Sequence, residues 1–499
     1  MRNHRSERSI DVMSLGEMLE ESCRFHRDRV ALIHEGQRLT YGELNHAVNA
    51  VGNLLRKLGI QKGDKVALML PNCPAFVISY FAAQKIGAVA VTLNVMSTSY
   101  ELIHFLGNSE AKVFLTTSAL AKRYEEIKGQ VPLCRYLIVA DSEKGDSPFR
   151  MAVADGPFDL DMPAISDDDP AVIIYTSGLT SKSLGAVLTH GNLTGQSELL
   201  KILFGTAKED RGLSIIPLFH SFGAVVNMLC PIRVGASLVL LERFTLEGIM
   251  STIGREKVTF IAAVPRVFLG MVLYDKDDAD CSSLKYCITG GAPMPPEYIA
   301  PFEQRFGIKI REGYGLTEAS PVCSVGRPEM PHKPGSIGIM VPRVEAKIVD
   351  DHDQDLPVNE IGELIVRGYN VMKGYYGDSD ATAEVIRGGW LHTGDLAKID
   401  ADGYIFITGR KKRMILTSGF NVYPRDVEKV LEMHPAVKAA KALSKEDLMR
   451  GEVVKALVVK RENVEADEKD ILRHCRAYLS SYKVPRELEF VDDIDETQP

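Results

Sequence analysis

Apolar residues along this chain fall into short blocks whose spacing switches between two periods. Leu44, Val48, Val51, Leu55 and Leu58 recur three or four apart after the start Thr40-Tyr41-Gly42-Glu43, which predicts an amphipathic helix over 41–58. Elsewhere the blocks are short and continuous: 65–70, 88–93, 112–116, 136–140, 171–176, 236–241, 258–264 and 284–289. Runs of this kind predict strands buried on both faces. Stretches of helical length, such as 74–86 and 245–254, lie between several of them. The rhythm is that of βαβ units, so largely parallel sheets covered by helices are expected.

From about Gly335 the pattern tightens. Strand-like segments at 345–349, 363–367 and 404–408 follow one another closely, with the turn Asp350-Asp351-His352-Asp353 after the first. A smaller β-rich subdomain is expected there. After Arg410 the pattern predicts a strand at 414–416, a helix at 424–432, a strand at 453–459 and a helix at 471–479. That is a compact α+β tail.

Length and charge then narrow the classes. A chain of 499 residues exceeds one compact core and has room for a large buried site. The net charge of -8 argues against a nucleic-acid binder, since duplex binding relies on Lys and Arg at phosphates. No apolar run approaches the ~18 residues of a membrane span, and the start Met-Arg-Asn-His-Arg-Ser-Glu-Arg-Ser shows no signal peptide. Eight cysteines (Cys23, Cys73, Cys134, Cys230, Cys281, Cys287, Cys323, Cys475) form no CxxC pair, and most sit among apolar neighbours. Reduced, buried thiols and a cytoplasmic location are expected; peripheral membrane contact stays open.

The chemistry concentrates in Tyr175-Thr-Ser-Gly-Leu-Thr-Ser-Lys-Ser-Leu-Gly-Ala-Val-Leu-Thr-His190, read as a loop between an apolar strand and a helix. Its amides and the hydroxyls of Thr176, Ser177, Thr180, Ser181 and Ser183 suit an oxyanion. No Gly-Lys-Ser/Thr closes it, so it is not a Walker A loop. By itself it reads equally as a Ser/Gly-rich surface loop.

Six further segments change that balance: Pro217-Leu-Phe-His-Ser-Phe-Gly223, Gly290-Gly-Ala-Pro293, Glu312-Gly-Tyr-Gly-Leu-Thr-Glu318, Gly362-Glu-Leu-Ile-Val-Arg-Gly368, Trp390-Leu-His-Thr-Gly-Asp395 and Gly409-Arg-Lys-Lys412. Together and in this order they resemble the adenylate-forming superfamily of acyl-CoA synthetases, luciferases and peptide-synthetase adenylation domains, from about Leu39 onward. The resemblance implies an α/β N-terminal domain over 1–409, with two doubly wound mixed sheets and a β-rich subdomain. It implies a hinge at 410–412 and a small, mobile α+β C-terminal domain over 413–499. It also implies a two-step reaction: a carboxylate and Mg-ATP give an acyl-adenylate and diphosphate, and coenzyme A then displaces AMP.

Carried over residue by residue, the resemblance puts Thr176, Ser177, Gly178, Leu179 and Thr180 at the β- and γ-phosphates; Lys182 reads equally as a compensating cation there and as an exposed lysine. Gly291, Ala292 and Pro293 line the adenine slot; Glu312, Gly313, Tyr314 and Gly315 flank the purine. Thr317 reaches the α-phosphate, and Glu318 holds Mg2+ with Thr176 nearby, a hard cation suited to oxygen ligands. Asp395 accepts both ribose hydroxyls, and Arg410 pairs with phosphate or ribose. His220 gates the acyl pocket, Lys412 is the hinge pivot, and Gly419 is the glycine of the pantetheine tunnel.

Two departures stand out. Leu179, Ser181, Ser183 and Leu184 replace the Thr, Gly, Pro and Lys usual in the phosphate loop. Each lost charge-assisted contact is worth roughly 1.5–3 kcal/mol, so slowed adenylation is expected. The segment Val491-Asp-Asp-Ile-Asp-Glu-Thr-Gln-Pro499 ends where the family's Gly-Lys would follow, and the sequence is expected to be truncated there.

No carboxylate follows Phe219, so an amino-acid ammonium would lack a partner. Phe222, Val225, Val226, Met228 and Val264 predict an apolar acyl pocket, for a medium- or long-chain fatty acid first and an aryl or alicyclic acid second. A catalytically impaired nucleotide-binding relative and a ligase that loads a carrier protein are the rival readings. The protein is expected to be a monomer or homodimer.

Overall fold

The computed structural model describes residues 13–141, 147–177, 183–242, 245–276, 280–411, 414–447, 450–461 and 464–494, without the side chain of Ser177. Short apolar runs become the inner strands of two large sheets. The first, from edge to edge, is Gly374–Tyr375, Ser183–Thr189, Pro170–Ser177, Val89–Thr92, Lys65–Met69, Val113–Thr116 and Tyr136–Val139. Pairing is parallel from Pro170–Ser177 outward to Tyr136–Val139. The second holds nine strands, with Tyr286–Thr289 and Ile310–Gly315 in parallel near one edge and Val30–His34 near the other. Strands such as Val89–Thr92 and Tyr286–Thr289 are buried at every position, as helix-covered parallel sheets require.

The helix over Tyr41–Lys57 opens on a capping box, Thr40 with Glu43, and buries Leu44, Val48, Val51 and Leu55. An earlier helix, Leu15–His26, carries the same device through Ser14 and Glu17. The β-rich subdomain is a five-stranded sheet built around Gly362–Gly368 and the long strand Trp390–Ile399, with Ile405–Arg410 antiparallel to the latter. Residues from Ile415 onward form a fourth sheet with the helices Pro424–Glu432 and Glu468–Tyr478, around a core of their own. The fold is therefore mixed α/β, with a large body of mixed sheets and a smaller C-terminal unit.

One expectation is corrected. The Ser/Gly-rich segment does not join a strand to a helix. The strand Pro170–Ser177 pairs antiparallel with Ser183–Thr189, and the helix starts only at His190. The cause is the run from Leu184 to Thr189, buried at every position; one turn of surface helix leaves such a run exposed, whereas an inner strand buries it. Among the described residues, no helix is long and apolar enough to cross a membrane.

Candidate active site

Thr176 lies at the end of its strand, where the apolar run gives way to hydroxyl residues. Its Oγ1 donates to Glu318 Oε1 at 3.0 Å, and Tyr375 Oη donates to the same oxygen at 2.9 Å. Glu318 sits in the single turn Thr317–Ala319 just beyond the strand Ile310–Gly315. One carboxylate thus ties the ends of the two large sheets together, and the cleft opens where both run out, the usual ligand position in open α/β sheets.

The turn Gly290 to Pro293 follows the neighbouring strand Tyr286–Thr289 and lines the same cleft. Gly315 is obligatory: a Cβ there would lie 2.0 Å from the Pro321 carbonyl oxygen. Glu312 is buried and accepts from Gly335 N–H at 3.2 Å; burial pushes its carboxyl up to about 7. Tyr314 Oη donates to Asp395 Oδ2 at 2.5 Å. Arg410 is the cross-strand partner of Asp395, and its Nε donates to Oδ1 at 3.0 Å. Thr317 and Ser221 hydroxyls meet at 3.1 Å.

His220 caps the short helix Ser221–Ala224, and its Nδ1 accepts from Phe222 N–H at 3.2 Å. Burial pulls its pKa down to about 4, so the ring is neutral near pH 7, with its proton on Nε2. The same cleft has an apolar lining from Leu199, Leu200, Leu203, Phe204, Val226 and Cys230. Polar and apolar side chains enclose one cavity of about 660 Å3. The C-terminal unit closes it with Gly419, Asn421 and Tyr423. Gly419 has φ +86°, and a Cβ there would stand 2.9 Å from Val264 Cγ1.

Of the residues singled out from sequence, Thr176, His220, Gly291, Ala292, Pro293, Glu312, Gly313, Tyr314, Gly315, Thr317, Glu318, Asp395, Arg410 and Gly419 line this one cavity. Gly178, Leu179, Thr180, Ser181, Lys182 and Lys412 lie outside the described residues, as does the Ser177 side chain. Sequence reasoning missed Tyr375 and Ser221. Ser221 stands inside a quoted motif, beside His220. Nothing local marks Tyr375, because its contact arises from the pairing of Gly374–Tyr375 with Ala186 and Val187 across the sheet edge.

Residues 19–376 match the model of a family described as AMP-binding enzyme, and 426–499 match its C-terminal domain. The chain belongs to the AMP-binding enzyme family. Within that family it is similar to a feruloyl-CoA synthase from Amycolatopsis sp, 36% identical over 97% of this chain and 96% of the relative. It is also similar to a long-chain-fatty-acid–CoA ligase from Bacillus subtilis, 32% identical over 97% and 92%. Among solved structures, an o-succinylbenzoate CoA synthetase double mutant from Bacillus subtilis, bound to a product analogue, superposes with a TM-score of 0.86. That protein is 28% identical, over 96% of this chain and 95% of its own. With both family models matched in order and CoA ligases as full-length relatives, the chain is an adenylate-forming acyl-CoA synthetase, an acid–thiol ligase.

Proposed function

We propose that this ligase acts on an apolar carboxylic acid, foremost a medium- or long-chain fatty acid. One observation carries the reading: the nucleotide-family residues, neutral His220 and the apolar side chains Leu199, Leu200, Leu203, Phe204 and Val226 line a single cavity. An acyl chain gains roughly 0.8 kcal/mol per CH2 buried against such side chains, while its carboxylate faces the Thr317 hydroxyl. Asp395 receives the ribose hydroxyls on its remaining lone pairs while Tyr314 and Arg410 hold it in place. The turn Gly291 to Pro293 and the strand from Glu312 to Gly315 enclose the base. Thr317 and Arg410 orient the α-phosphate, so that a carboxylate oxygen meets phosphorus in line and diphosphate leaves. The neutral His220 ring adds no charge beside the acid, and in the second step the thiol reaches the acyl carbon past Gly419.

The Glu318 carboxylate and the Thr176 hydroxyl are oxygen donors 3.0 Å apart, the chemistry a Mg2+ ion selects. Such an ion, when bound, offsets the negative charge of the phosphates. The eight free thiols fit a reducing, cytoplasmic setting.

A second reading has its own support: Phe204 and Phe222 line the cavity, and feruloyl-CoA synthases are among the relatives, at 36% identity. The test is a panel of fatty, aryl and amino acids with ATP, scored for AMP, diphosphate and thioester, with coenzyme A and a carrier-protein phosphopantetheine as alternative acceptors. Thioester from fatty acids and coenzyme A is expected. Turnover restricted to aryl acids selects the second reading, and AMP binding without turnover on any acid overturns both.

A further inference from the structure

Lys483 lies between the helix Glu468–Tyr478 and the strand Glu487–Phe490, and its side chain is only 7% exposed. Two carboxylates face its ammonium. Glu101 Oε1 stands at 2.9 Å and belongs to the helix Ser99–Ser109 of the body; Asp426 Oδ2 stands at 3.6 Å, in the first turn of Pro424–Glu432 in the C-terminal unit. The second oxygen of Glu101 accepts from Ser480 Oγ at 2.6 Å and from Thr98 N–H at 3.0 Å. Thr98 Oγ1 in turn donates to the Tyr478 carbonyl at 3.0 Å. A single buried cation is therefore shared across the seam between the two units.

Burial alone draws an ammonium toward neutrality; here Glu101, Tyr482 and Asp426 outweigh it and hold Lys483 firmly charged. Two buried carboxylates facing each other are tolerated only with that cation between them. The seam reaches the cavity by a short path. Tyr482 stacks on Phe420 at 4.7 Å, and Phe420 follows Gly419. A small chamber of about 90 Å3, lined by Glu101, Phe420, Tyr482 and Lys483, shares Thr176, His220 and Thr317 with the main cavity. Lys483, Tyr482, Phe420 and Gly419 thus form one continuous path from the seam to the cavity.

We infer that Lys483 is a positioning residue for thioester formation: seated between Glu101 and Asp426, it fixes the C-terminal unit in the orientation that presents Gly419 to the cavity, and it takes no part in adenylation. The inference rests on the reading above that the thiol enters past Gly419. It explains why a cation and two carboxylates are buried together at the seam between the two units.

Lys483→Met, Lys483→Arg and Glu101→Gln separate the alternatives in two measurements. The first compares diphosphate release from acid and ATP without coenzyme A against thioester formation from supplied acyl-adenylate. Lys483→Met slows the second by about a hundredfold and leaves the first within a few-fold, and Lys483→Arg restores most of the loss. Glu101→Gln keeps the Lys483–Asp426 pair within the C-terminal unit, so it tests the seam without emptying that unit's interior; the same split, smaller, is expected. The second measurement needs no substrate. Amide exchange over 98–102 and 478–484 accelerates in Lys483→Met while the strands of the two large sheets keep their protection. Equal losses in both half-reactions, or unchanged exchange at the seam, overturn the inference. Wild-type protein that forms no adenylate refutes the enzymatic reading instead, and the exchange result still decides what seats the C-terminal unit.

Discussion

Asp395 is held from both sides before any nucleotide arrives, by Tyr314 Oη on one oxygen and Arg410 Nε on the other. Preorganisation of this kind fixes the carboxylate where two vicinal hydroxyls can meet it. Asp395→Ala removes two charge-assisted contacts of roughly 1.5–3 kcal/mol each, so the KM for ATP should rise by at least about a hundredfold in steady-state kinetics, with a smaller fall in kcat. Glu312 shows the opposite situation, a group that costs stability for its place. Its carboxyl protonates more easily folded, at about 7, than at the ordinary 4.5, so stability falls as pH rises through that window. Glu312→Gln removes the cost: urea unfolding should give equal stability near pH 4 and a variant more stable by at most about 3 kcal/mol at pH 8. No gap at pH 8 would mean that Glu312 ionises normally. The motif residues were legible here because each occupies a fixed place within a short run. Tyr375 was not, since Gly374 and Tyr375 meet the cleft only through sheet pairing 187 residues away in sequence from Val187 at the closest register.

At the scale of elements, the antiparallel pair of Pro170–Ser177 and Ser183–Thr189 replaces a family lysine by Leu184, now 8% exposed within the main core. Leu184 has thus joined the packing of the sheet, and its side chain supplies no cation to phosphate. The strand Val437–Asp447 was missed for a related reason. Its sequence, rich in Ala and Lys, has helical propensity, yet ten register pairs and one bulge bind it to Gly451–Lys460; tertiary pairing overrode local preference. Inner strands such as Lys65–Met69 were legible because burial on both faces demands a continuous apolar run. In the C-terminal unit, the turn at Gly419 combines positive φ with room for no Cβ, which would crowd Val264. Gly419→Leu should slow thioester formation by about tenfold or more while diphosphate release in the absence of coenzyme A stays within a few-fold. A matching loss of diphosphate release would place Gly419 in the first half-reaction.

Across the whole molecule, the site exists only by assembly. The two large sheets supply Thr176 and Glu318, the β-rich sheet supplies Asp395 and Arg410, and the C-terminal unit supplies Gly419. No segment contains the cavity, which is why sequence order could indicate the chemistry but not the extent of the apolar lining or the seam at Lys483. The central claim is that a carboxylate oxygen attacks the α-phosphorus within that cavity. Fatty acid labelled with 18O in its carboxyl group, incubated with the protein, ATP and coenzyme A, tests it most directly. One labelled oxygen should appear in the phosphate of AMP; label in inorganic phosphate, or AMP free of label, would contradict the account.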